Sequence, residues 1–176
     1  MPSTTTCYVV IGIKIHNSPE EGTYTTYTAI AEYGYDATKE VSTQTDAERV
    51  DDIVALQDEW RFDVDTIFYC SHDAESLKAA LQKDNRIKMT IKTFKPDTLE
   101  CIQTISSLFY QNRLLIHEGC NELINQIYGY EWDSKAASKG EDKPVKKDDH
   151  YIDAMRGPIM NNLFDGDSIG GFIDLD

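Results

Sequence analysis

The first apolar run, Cys7-Tyr8-Val9-Val10-Ile11-Gly12-Ile13, is β-rich and nearly continuous from Thr6 to Ile15. That pattern predicts a buried central strand. A turn follows at Asn17-Ser18-Pro19-Glu20-Glu21-Gly22, and Thr23 to Tyr35 is dense in Thr and Tyr, as suits the second strand of a hairpin. Glu40 to Ser42 is read as a short third strand. With Thr45 as N-cap, Val50, Ile53, Val54, Leu56, Gln57 and Trp60 take helical spacing to about Arg61.

The period then alternates. Thr66 to Cys70 predicts a strand ending at Ser71-His72-Asp73, Glu75 to Gln82 a helix, and Ile87 to Phe94 a strand. Asp97 caps a helix carrying Leu99, Ile102, Ile105, Leu108 and Phe109. Arg113 to His117 reads as a brief strand and Asn121 to Tyr128 as a helix; a last helix carries His150. Strands first, then alternation, predicts an α/β mixed sheet: three antiparallel strands, parallel additions, and helices on both faces. Asp73 then falls just past a central strand's C-terminal end, where open α/β sheets place ligands.

Length and charge narrow the picture. A chain of 176 residues buries one real core, assigned to 1–164, with an acidic, loose tail over 165–176 in which Phe172-Ile173 could dock. A net charge of −14 disfavours a protein that grips nucleic acid unaided. No membrane-length apolar run and no signal-like start are present, so the bacterial cytoplasm is the default compartment. Cys7, Cys70, Cys101 and Cys120 are scattered without metal-ligand spacing and read as reduced thiols. Against the acidity, Lys135, Lys139, Lys143, Lys146 and Lys147 meet only Glu141 and Asp142. Such an arm suits a phosphate backbone, with Lys139, Lys143, Lys146 and Lys147 as its contacts; a solvated hairpin tip is the simpler alternative.

The densest chemistry lies in Lys146-Lys147-Asp148-Asp149-His150-Tyr151-Ile152-Asp153-Ala154-Met155-Arg156. Asp148 or Asp149 can cap the helix, and His150 and Asp153, three apart, project from one face. A carboxylate and an imidazole so placed serve a hard cation and a proton transfer together. The plain alternative is a capped surface helix with solvated charges; for Asp73 it is a helix N-cap.

Tyr130-Glu131-Trp132-Asp133, Lys143-Pro144-Val145-Lys146, then Asp149-His150 with Asp153-Ala154-Met155-Arg156, together with Phe109 to Ile124, resemble the C-terminal nuclease domain of tailed-bacteriophage terminase large subunits. The likeness runs from about Thr6 to Met160. It implies a ribonuclease-H-like fold and a metal-dependent endonuclease that cuts concatemeric double-stranded DNA during packaging, using two Mg²⁺ or Mn²⁺ ions. By the same resemblance Asp73 and Asp153 are metal ligands, and Asp73, His150 and Asp153 are catalytic. The implied partners are double-stranded DNA, an ATPase motor domain or subunit, the small terminase subunit and the portal.

Two positions depart from the family pattern. Where the first strand should read Gly-x-Asp, this chain has Gly12-Ile13-Lys14, so Lys14 occupies the expected third ligand position. A protonated ammonium offers no lone pair and cannot hold a cation. His16, Glu20 or Glu21 would have to reach in instead, and Lys14 is expected to pair with Asp73 or Asp153 among coupled carboxylates. The second departure is Arg156-Gly157-Pro158, where proline should stop or kink the last helix. No phosphate-binding loop of the Gly-x-x-x-x-Gly-Lys-Ser/Thr type occurs, so ATP hydrolysis is not expected here. The alternative function is a catalytically disabled domain of the same fold acting as a docking or regulatory module. A junction-resolvase-like enzyme ranks below both, because it leaves the Tyr130 to His150 block unexplained.

Overall fold

The computed structural model describes residues 5–36, 42–94, 98–130 and 149–165. β1 (Thr5–Ser18) and β2 (Gly22–Asp36) form the opening antiparallel hairpin, with Lys14 opposite Thr26 and His16 opposite Tyr24. Gly22 closes the turn at φ 72°, a left-handed backbone that glycine adopts without a Cβ penalty. The ladder slips between Val10 and Ile11, which leaves Ile30 as an extra residue on β2. Ile30 packs over Gly12, where a Cβ would come within 2.6 Å of Ile30 Cδ1.

Alternation sorts β1 into two faces. Cys7, Val9, Ile11 and Ile13 pack with Tyr27 and Ala29 against a core that includes Leu123, Tyr151, Ile152, Met155 and Ile159. Tyr8 points the other way, into a second core of Val50, Ile53, Cys70, Leu77, Leu81 and Met89. Helices therefore cover both faces, as the sequence pattern predicts.

α1 (Asp46–Trp60) starts at the expected cap. Thr45 Oγ1 accepts from the Glu48 amide, and the Glu48 carboxylate accepts from the Thr45 amide at 2.7 Å. Gln57, fully buried, is satisfied by giving Nε2 to the Arg86 carbonyl and accepting from the Lys88 amide. β3 (Ile67–Ser71), α2 (Glu75–Lys83) and β4 (Thr90–Phe94) follow. β4 begins later than Ile87 because Asp84 accepts from both the backbone and the guanidinium of Arg86, making a turn there. α3 (Thr98–Tyr110), β5 (Leu114–Ile116), α4 (Asn121–Tyr128) and α5 (His150–Asp165) complete the order.

The hydrogen-bonded strands divide differently from one continuous sheet. β1, β2 and β5 form a mixed ladder in which β5 is parallel to β2, and β3 pairs with β4 in a separate parallel ladder. The short third strand near Glu40 falls mostly outside the described residues; Ser42 forms a bend whose carbonyl accepts from the Tyr35 hydroxyl. β2 gains its second neighbour only from β5, far along the chain. A cleft of about 430 Å³ lies between the ladders, lined by Val10, Ile11, Phe68, Ala154 and Pro158 among others.

Of the two expectations for Pro158, a stop or a kink, the stop is not met: α5 runs on through the proline. Met155, Ile159 and Met160 are fully buried on either side of the proline, so tertiary packing outweighs the lost backbone donor. The helix lies close enough for Phe94 to fill the space beside Gly157, where a Cβ would be 2.9 Å from Phe94 Cδ1. At its other end the Tyr151 hydroxyl takes the place that a side chain at Gly34 would need. No described helix is long and apolar enough to cross a membrane.

Candidate active site

Asp73 lies two residues beyond β3, exposed at the strand's C-terminal end as predicted. It is not the cap of α2. Ala74 holds the N-cap position without a side-chain bond, and Asp73 instead accepts from the Ser71 hydroxyl. That hydrogen bond is the main reason its carboxyl is held below the ordinary aspartate value, with the His72 side chain adding a smaller push in the same direction.

His150 and Asp153 open α5. The first free amides of this helix, on Tyr151 and Ile152, donate to Oε1 of Gln126 from α4. The cap therefore comes from a neighbouring helix, not from Asp149; Asp148 lies outside the described residues. Asp153 is half exposed, with Oδ1 2.5 Å from an Arg156 guanidinium nitrogen one turn on. Arg156 is buried, and its Nε finds no hydrogen-bond partner among the described residues.

The surroundings of the α5 start are acidic. Cys7 on β1 has its thiol pushed up to about 12, first by burial, then by Asp153 and by Glu32. Glu32 is itself committed to structure: its two carboxylate oxygens accept from the Glu122 and Leu123 amides at 2.8 and 2.9 Å, capping α4. Sequence reasoning missed Glu32, Gln126 and Arg156. Only the last left a signal, its i,i+3 spacing from Asp153.

Lys14 does not join this group. Its strand position places it on the face opposite Cys7, Val9 and α5; it is exposed and pairs with no carboxylate among the described residues. The expected ion pair with Asp73 or Asp153 is therefore not formed. Neither Asp153 nor Lys14 is among the groups that shift the Asp73 carboxyl. Among the described residues no three His, Cys, Asp or Glu side chains come together to hold a metal. Among the described residues, Asp73 and Asp153 each bond to a local partner and Lys14 offers no oxygen, so these residues alone do not complete a two-cation centre. Lys139, Lys143, Lys146 and Lys147, expected to contact DNA, lie outside the described residues.

An α/β sheet with helices on both faces, carrying Asp73 past a strand end and Asp153 on the last helix, defines a ribonuclease-H-like domain. The family described as Terminase RNaseH-like domain matches residues 37–162, and the chain belongs to it. That match contains Asp73, His150 and Asp153 but not the hairpin bearing Lys14. The chain is similar to the large terminase from a thermophilic bacteriophage at 26% identity and a TM-score of 0.70, covering 93% of this chain and 41% of that one. The same phage terminase in complex with ATP-gamma-S matches at 28% identity with the same TM-score. The P22 large terminase nuclease domain shares the fold at 14% identity and a TM-score of 0.57, over 93% of this chain and 84% of that one. This chain thus spans under half the length of the thermophilic phage's large terminase. Among curated proteins no match is found.

Proposed function

We propose that this chain is the DNA-cutting domain of a viral packaging terminase, acting on double-stranded DNA presented by an ATPase motor, and that its hydrolytic chemistry is attenuated because the first strand supplies no carboxylate to it. The observation that carries the reading is the split between the two halves of the site. The family match holds Asp73, His150 and Asp153, whereas the first strand contributes an exposed ammonium in place of a carboxylate. In such nucleases divalent cations lower the pKa of a water and neutralise charge on the scissile phosphate. Here Asp73 and Asp153 are the carboxylates that would offer oxygen to Mg²⁺ or Mn²⁺, His150 is the imidazole beside Asp153, and Lys14 offers nothing to a cation.

Nicking of supercoiled plasmid in Mn²⁺ tests this reading. The chain as written should nick weakly. Asp153→Ala should abolish the nicking, and Lys14→Asp, which puts its carboxylate on the sheet face away from Asp153, should not raise it. Brisk cutting by the unaltered chain, or a rise in rate with Lys14→Asp, would overturn it. The second reading, a docking or regulatory module, draws support from the Asp153–Arg156 pair, which occupies the acid that catalysis would need. It predicts silence from both the parent and Lys14→Asp at every Mn²⁺ concentration.

A further inference from the structure

Among the described residues, the sheet face opposite α5 is covered at one end only. There Tyr33, with its hydroxyl accepting from Trp60 Nε1 and donating to Glu59, sits under α1. Towards the hairpin turn the same face carries Lys14 and His16 on β1, Tyr24 and Thr26 on β2, and Arg113 beside β5. These side chains organise one another. The His16 and Tyr24 rings stack at 4.7 Å between centroids, with the planes 9° apart. The Arg113 guanidinium lies over the Tyr24 ring at 4.8 Å, and His16 Nε2 is 2.8 Å from Thr26 Oγ1.

The charge on this patch runs against the composition. Acids outnumber Lys and Arg by 31 to 17, yet neither Lys14 nor Arg113 has a carboxylate partner among the described residues. Arg113 is held by an aromatic face instead, which leaves its N–H groups available to an anion. Lys14 and Arg113 stand two strand spacings apart, about 10 Å, with the Thr26 hydroxyl, itself bonded to His16, on the strand between them. Two cations, a hydroxyl and an immobilised ring match the chemistry of a nucleic-acid backbone.

We propose that this uncovered end of the β1–β2–β5 face binds the phosphate backbone of duplex DNA directly, without a metal ion, through Lys14 and Arg113. The inference rests on the reading of the chain as a DNA-handling domain, and it gives Lys14 a positive task at the position where a metal ligand is missing.

Fluorescence anisotropy of the full 176-residue chain on a labelled duplex of arbitrary sequence, in EDTA at low salt, tests it. Lys14→Gln and Arg113→Gln should each weaken binding several-fold, and the double variant more than either. Each should also reduce the slope of log affinity against log salt by about 1. Lys83→Glu, an exposed charge change on α2, should leave affinity within about twofold, since it lies off the contact surface. A parent chain without duplex binding in EDTA overturns the proposal. So do Gln variants that bind like the parent, or a Lys83→Glu loss as large as theirs. Binding without nicking would sink the hydrolytic reading alone; Mn²⁺-dependent nicking with unaltered binding in both Gln variants would sink this surface alone.

Discussion

Asp153 Oδ1 and a guanidinium nitrogen of Arg156 stand 2.5 Å apart on successive turns of α5, the acid half exposed and the base buried. The asymmetry decides which partner depends on the other. Asp153 can be rehydrated if the pair breaks, whereas Arg156 would remain a buried charge without its counter-ion. Asp153→Asn should therefore destabilise the fold by about 1–3 kcal/mol, measured by urea unfolding. Arg156→Met should cost less than Asp153→Asn, because it removes the buried charge together with its need for a partner. The reverse order would show that Arg156 is stabilised chiefly by other contacts.

Glu32 links β2 to α4 by accepting from two amides that α4 cannot satisfy within itself. Glu32→Ala should lower stability by about 1–2 kcal/mol, and Glu32→Gln, which keeps one carbonyl acceptor, by less. Hydrogen exchange should localise the Glu32→Ala effect to Glu122 and Leu123 and the residues after them. Uniform loss of protection across the domain would count against a capping role.

Alkaline pH should destabilise the protein over a defined window. Burial raises Cys7 from 9.0 to about 12 and Cys70 from 9.0 to about 11, while Tyr27 and Tyr151 rise from 10.0 to about 12. Below pH 9 these groups are protonated in both folded and unfolded chains, and their contribution does not change with pH. Above the unfolded values the unfolded chain loses its protons first, so stability falls as pH rises through the folded values. The urea midpoint should hold from pH 7 to about 8.5 and then decline steadily. A flat profile to pH 11 would contradict the burial of these side chains.

Ser71→Ala tests how Asp73 is held. Removing the hydroxyl takes away the largest cause of its lowered carboxyl, so its titration in a carbon-detected NMR experiment should move upward toward an ordinary aspartate. A carboxyl that titrates unchanged would mean that His72 or the local backbone sets the value.

The parts of the fold that the sequence made legible are those governed by local chemistry. Thr45 and Glu48 announce their capping box three residues apart, and Asn121 to Tyr128 is helical within the predicted bounds. The strand pairing was not legible, because the same apolar patterns fit one five-stranded sheet or the observed ladders of three and two. Pro158 misled for a related reason: a local rule against proline yields to packing by Met155, Ile159 and Met160, which no local window contains. The position of Asp73 past a strand end and of Asp153 on the last helix was readable in the pattern. Gln126 and Glu32 were not, since each satisfies the start of a helix that belongs to another element. The separation of Lys14 from Asp153 follows from β1 alternation once α5 is known to cover the odd residues; the sequence names both residues without saying which face the helix chooses.

The missing side chain at Gly34 has a consequence for the start of α5. Because the Tyr151 hydroxyl seats in that notch, the start of the helix docks on β2 through the tip of one ring. An absence on the second strand thus seats a ring two residues before the acid on the last helix, and any side chain at position 34 would first have to push that ring aside.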